Sequence, residues 1–208
     1  FLYFPKNCSK NKILNDLKLH IPFEKITKNK KNIQIKKIVI MQGGSDPNRN
    51  LIRIFHCIKH MILNEKKIIF HFHFGLRNKK NRDIKYLINQ KQYFNNLIIS
   101  YDLGSISKVI KNCDLAITAC GVSALDFIYA NVPSIYVSNE YKELNTGKLF
   151  HKLNFGKYFG KITRNNQNKL QYCLNDIIKN YKIRQSIFKS MKKNNLFNSK
   201  RNLLNLII

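Results

Sequence analysis

Two short loops carry the residues whose types and spacing could do chemistry. Gly43-Gly44-Ser45-Asp46-Pro47 follows the apolar run Ile38-Val39-Ile40-Met41, and Ala119-Cys120-Gly121-Val122-Ser123 follows Leu115-Ala116-Ile117-Thr118. Each reads as a buried strand, a small-residue turn and a helix start. Glycines let the backbone turn tightly and approach a ligand closely. Bare N–H groups at a helix start, with the helix dipole behind them, attract phosphate. Two such turns in one domain suit a nucleotide diphosphate held between two strand ends. Each turn alone equally fits a plain capped turn with no ligand. Ser45 or Asp46 can cap the first helix, and Pro47 suits its first turn. The first turn is neither a Walker A loop nor a GxGxxG fingerprint. In the second, Gly121 leaves backbone donors bare and Ser123 can cap or bond a phosphate. Asp126 lies one helical turn past Ser123. It could reach back to accept two ribose hydroxyls, or simply place negative charge near a helix N-terminus.

Other reactive side chains lead less far. Cys120 has no histidine nearby in sequence and is not read as a nucleophile. His71 and His73 alternate with Phe70, Phe72 and Phe74 and share one strand face. A metal site there lacks further ligands, so the face is read as solvent-exposed or helix-packed. The cysteines Cys8, Cys57, Cys113, Cys120 and Cys173 form no CxxC pair. They are read as reduced, half-buried residues of a cytoplasmic protein, without disulfide framework or zinc.

Alternating strands and helices must position these turns. Strands are expected at Ile35–Met41, Lys67–Phe74, Leu97–Tyr101, Leu115–Thr118 and Ser134–Val137. Helices are expected at Asn48–Leu63, Asn81–Gln90, Ile106–Asn112, Ser123–Ala130, Lys142–Leu153 and Asn168–Tyr181, with one or two more over Arg184–Ile208. The first of these spaces Leu51, Ile52, Phe55, Ile58, Met61 and Ile62 at helical intervals. This alternation implies an α/β fold with a doubly wound parallel sheet and extra C-terminal helices. In the strand order 3-2-1-4-5-6, Ile35–Met41 and Leu115–Thr118 are neighbours at the reversal, so both small turns open into one crevice.

Lys and Arg number 38 against 11 Asp and Glu, a formal charge of +27. The basic residues are spread along the chain and accompany abundant Asn and Ile, with few Gly and Pro. Codon bias from an AT-rich genome accounts for that pattern. Specific nucleic-acid binding is the weaker alternative, because no recognition helix or basic–aromatic platform is visible. A peripheral association with an anionic membrane also suits the charge. No apolar run approaches the length of a membrane span. Residues 1–34, basic and irregular with Pro5 and Pro22, read as a linker or the tail of a missing N-terminal domain. Residues 35–165 read as the nucleotide-binding domain, and residues 166–208 as helices packing on it.

The residues Val39 to Pro47 resemble the GGSDP turn of the pseudaminic-acid pathway UDP-sugar hydrolases and their spore-coat polysaccharide relatives. Cys113 to Asp126, continuing through Ala130-Asn131-Val132-Pro133-Ser134, resembles a second segment of that family. The layout is also similar to the C-terminal domain of the UDP-N-acetylglucosamine transferases that build the peptidoglycan lipid precursor. The resemblance implies a two-domain GT-B protein whose C-terminal, Rossmann-like domain holds the UDP of a UDP-sugar. Gly43, Gly44 and Ser45, with Asp46, would lie near the diphosphate. Gly121, Val122 and Ser123 would lie on its other side. Asp126 matches a family Glu that binds ribose. Asn139 and Asn145 flank the place of a family Asn-Gln pair, and Asn145 is taken as the nucleotide-binding one. The hydrolase reaction would be attack of water on the anomeric carbon, without metal or other cofactor. The family's catalytic His belongs to an N-terminal Gly-x-Gly-His-x-x-Arg motif that this sequence does not contain. A UDP-sugar transferase is the alternative expectation, followed by an inactive domain of the same architecture.

Overall fold

The computed structural model describes residues 33–77, 81–101 and 105–193. Its framework is a six-stranded, wholly parallel sheet. The strands are β1 (Lys37–Met41), β2 (Ile69–Phe74), β3 (Leu97–Tyr101), β4 (Leu115–Thr118), β5 (Ser134–Val137) and β6 (Gly156–Gly160). Their order is β3-β2-β1-β4-β5-β6, so the reversal falls between β1 and β4. Helices α1 (Asn50–Asn64), α2 (Asn81–Gln90), α3 (Ile106–Ile110), α4 (Val122–Tyr129) and α5 (Glu143–Lys152) follow the first five strands in turn. Helices α6 (Gln167–Lys179) and α7 (Tyr181–Lys193) complete the described chain.

The central strands β1 and β4, with β5, are buried on both sides because helices cover both faces. Ile38 and Ile40 of β1, Phe70, Phe72 and Phe74 of β2, and Leu115 and Ile117 of β4 join one core with α1 and α6. That core explains the helical spacing in α1, which buries Leu51, Ile54, Phe55, Ile58, Met61 and Ile62. On the opposite face Val39, Met41 and Ala116 pack against Val109 and Ile110 of α3 and Phe127 of α4. A third cluster joins Leu125 and Ile128 of α4, Tyr136 of β5, Phe150 of α5, and Ile187 and Met191 of α7.

Several sequence expectations change in detail. β6 was not expected, because Gly-Lys-Tyr-Phe-Gly has neither an apolar run nor a clean alternation. It forms because Gly156 lets the strand close on β5, where a Cβ would lie 2.0 Å from the Ser134 carbonyl oxygen. The helix expected over Asn168–Tyr181 ends at Lys179, and Tyr181 opens α7. Asn180 is extended (φ −96°, ψ 91°) and breaks the two apart. The rest of the expected tail, residues 194–208, lies outside the described residues, as do Cys8 and nearly all of the expected linker.

The histidine face is buried rather than solvent-exposed: His71 and His73 are each 6% exposed. Ser100 of β3 bonds both rings, with its Oγ 2.6 Å from His71 Nε2 and 2.9 Å from His73 Nδ1. No group of three His, Cys, Asp or Glu able to hold a metal occurs among the described residues. Their helices include none long and apolar enough to cross a membrane.

Candidate functional site

The reversal in strand order leaves a crevice at the carboxyl ends of β1, β4 and β5, where ligands bind in open α/β sheets. One wall is the turn after β1, formed by Gln42, Gly43, Gly44, Ser45 and Pro47. The second is the β4–α4 turn, with Ala119, Gly121, Val122 and Ser123. The third is the β5–α5 turn, with Asn139, Glu140 and Glu143. The cavity between them measures about 220 Å³. Ligand pockets usually begin near roughly 300 Å³, so this crevice takes only part of a nucleotide sugar.

The first wall is shaped by its own sequence. Gly43 has φ +72°, a conformation costly for any residue with a Cβ. Asp46 and Arg49 also take positive φ, at 41° and 55°. Asp46 turns inward and caps α1, its carboxylate accepting the Asn50 N–H at 2.7 Å and the Leu51 N–H at 3.0 Å. Beyond the turn, the Arg49 guanidinium pairs with the buried Asp83 carboxylate of α2, through Nε at 3.0 Å and Nη2 at 2.5 Å. Gly75, just past β2, sits directly behind the wall. A Cβ there would lie 2.5 Å from the Gly43 carbonyl oxygen and 2.6 Å from the Gly44 Cα.

The second wall is an uncapped helix start. Gly121 is the N-cap of α4 and has no side chain to cap the helix, and among the described residues no side-chain bond to its first N–H groups is seen. Its first backbone N–H groups are therefore the donors this wall offers. Cys120 lies behind it at 2% exposure, with Sγ 3.5 Å from the Ser138 hydroxyl. Burial pushes its thiol up to about 12, so it stays protonated and inert at neutral pH.

The third wall is tied by Glu143 and Asn139. The Glu143 carboxylate accepts the Asn139 N–H at 2.6 Å. Burial raises its pKa, and the N–H bonds from Asn139 and Glu140 oppose that rise. Its Oε1 faces Gly121, 3.7 Å from where a Cβ would stand. Glu140 is exposed and pairs with Lys142 at 2.8 Å. Among the described residues the lining holds no Lys or Arg, so what these residues offer an anion is backbone dipoles.

Of the residues singled out in the sequence, Gly43, Gly44, Ser45, Gly121, Val122 and Ser123 are brought together around the crevice. Asp46, Asp126 and Asn145 are not part of its lining. Asp46 is occupied by the cap. Asp126 is 7% exposed on α4, and Asn145 is exposed on α5, while Asn139 takes the inner position. Gln42, Asn139, Glu140 and Glu143 complete the lining beyond the two sequence motifs. Their signal was positional: each lies within six residues of the carboxyl end of a central strand.

No protein-family model matches the chain, and no curated protein matches it. Solved structures do. A putative UDP-N-acetylglucosamine 2-epimerase from Listeria monocytogenes superposes with a TM-score of 0.65 at 9% identity, covering 88% of this chain and 48% of that one. The S. aureus MnaA–UDP complex gives 0.62 at 12%, covering 84% and 46%. MurG of Acinetobacter baumannii gives 0.54 at 13%, covering 88% and 55%. The chain thus spans about half the length of the structures it resembles. Identities this low speak for the fold alone: the chain has the α/β, Rossmann-like fold shared with GT-B glycosyltransferase and epimerase structures.

Proposed function

We propose that this chain is the nucleotide-binding half of a UDP-sugar-dependent enzyme of GT-B architecture, acting in glycosyl transfer. The observation that carries the reading is the convergence of the Gly43–Pro47 and Gly121–Ser123 turns on one crevice at the sheet's reversal. On this reading the diphosphate lies between the two walls. The α4 N-terminus supplies donors and a positive dipole end, which stabilise charge as the diphosphate departs. The carboxylates Glu140 and Glu143 lie on the third wall, away from the two turns assigned to the diphosphate, and suit hydroxyl groups of the ligand. Asp126 is proposed as the ribose partner on the strength of its sequence match. The catalytic groups would come from an N-terminal domain of the same protein, across the cleft.

The structural neighbours favour a transferase or epimerase. The GGSDP sequence of Gly43–Pro47 favours hydrolysis of a UDP-2,4-diacetamido-2,4,6-trideoxy sugar as the second reading. Calorimetric titration of the chain with UDP, UMP and ADP tests the shared part. UDP binding in the micromolar to sub-millimolar range, weaker for ADP, is expected. A folded chain that ignores UDP would overturn the proposal. Steep salt dependence with tight DNA or RNA binding would replace it with a polyanion-binding function.

A further inference from the structure

Asn139 is 4% exposed, yet four hydrogen bonds meet on it. Its side-chain Nδ2 donates to the Gln42 carbonyl at 3.3 Å. Its Oδ1 accepts from Asn50 Nδ2 at 2.8 Å. Its backbone N–H donates to Glu143 at 2.6 Å, and its carbonyl accepts from Asn48 Nδ2. Gln42 begins the wall after β1, Asn48 and Asn50 flank the start of α1, and Glu143 opens α5. One buried side chain therefore joins two of the three crevice walls. Buried amide hydrogen bonds of this kind are directional, so the paired groups favour one arrangement of the segments they join.

We propose that Asn139 is a positioning residue that sets the spacing of the crevice walls, and thereby its preference for a diphosphate over a single phosphate. The proposal rests on the nucleotide reading above. A single phosphate can be held by the donors of one wall. A diphosphate must touch both the Gly43–Ser45 turn and the α4 start, so it alone senses their separation. The Asn139-to-Gln42 bond ties a residue of the first wall itself to the β5–α5 turn beside the second, whereas the bonds from Asn48 and Asn50 tie the α1 start to that turn.

The test is calorimetric titration of the chain with UDP and UMP, alongside thermal melting, for Asn139→Leu and Asn50→Leu. Both substitutions remove the Asn50–Asn139 bond, but only Asn139→Leu removes the bond to Gln42. We expect Asn139→Leu to weaken UDP about tenfold while UMP changes by less than about twofold, the loss appropriate to a misplaced wall. Asn50→Leu should lower the melting temperature yet keep the UDP-to-UMP ratio. If Asn139→Leu does not fold, Asn139→Ser, too short to reach Gln42, is read by the same ratio. An unchanged ratio in the Asn139 variant, or an equal collapse in Asn50→Leu, overturns the positioning role and leaves the nucleotide reading standing. Failure of the unsubstituted chain to bind UDP overturns both.

Discussion

Replacing Gly75 with Ala should damage the crevice from behind, without altering any residue that lines it. Gly75 does not have a positive φ, so alanine meets no backbone strain there and the cost is purely steric. The new Cβ would lie 2.5 Å from the Gly43 oxygen, 2.6 Å from the Gly44 Cα and 2.9 Å from the Gly44 oxygen. All three are backbone atoms, which cannot rotate away as a side-chain tip can. Restoring the 3.4 Å at which ordinary contact begins requires the Gly43–Gly44 turn to retreat by about 0.9 Å. Overpacking of this kind costs about 1–3 kcal/mol of stability. Misplacement by 1 Å costs on the order of 100-fold where a whole site is pre-organised. Here only one of the walls moves, so the expected loss in UDP affinity is about tenfold, or ~1.4 kcal/mol. Calorimetric titration well below the melting midpoint reads the affinity, and thermal melting reads the stability. Gly75→Ala that binds UDP as the parent does, at lowered stability, would show that the diphosphate does not rest on the Gly43–Gly44 turn.

Three further outcomes follow from the same geometry. Burial, the Lys37 ammonium and the His73 ring lower His71 from 6.5 to about 4. The unfolded chain takes that proton first, so His71 stabilises the fold above pH 6.5. The contribution, about 3 kcal/mol, is lost as pH falls from 6.5 to about 4. Urea melts across this window should steepen in that direction, and His71→Gln should flatten them; a flat profile in the parent would refute the assignment. Asp46→Ala removes the α1 cap and should cost about 1–2 kcal/mol in urea melts, as caps do; a change under a few tenths would contradict the bonds to Asn50 and Leu51. Asp126→Ala should weaken UDP and UMP together, since both carry ribose, while leaving inorganic diphosphate unaffected. Unchanged nucleotide binding would remove Asp126 from the site.

Much of this fold was legible in residue order. Alternating apolar runs and helical spacings dictate strands and helices, and right-handed crossovers leave few ways to arrange them. With the strand order 3-2-1-4-5-6, β1 and β4 are neighbours at the reversal, so the turns at Gly43 and Gly121 open side by side. Local chemistry, such as Gly43 at positive φ, also acts over a few residues and so is written in the sequence. β6 was hidden because Gly156 is explained by a close approach to Ser134, which no local pattern encodes.

The tertiary structure decided everything that depends on distant segments meeting. Asp46 could cap or face a ligand; the orientation of α1 commits it to the cap. His71 and His73 could face water or a helix, and Ser100 from the neighbouring strand settles their place. Along the chain Asn139 and Asn145 flank one expected place, and the sequence reading takes Asn145. Packing of β5 against β4 buries the first at the crevice and leaves the second on the outer side of α5. Gly75 and Glu143 carry no motif at all. They matter because the sheet brings one behind the β1 turn and the other opposite Gly121, contacts that span about 30 and 20 residues of sequence and are fixed only when the whole sheet is assembled.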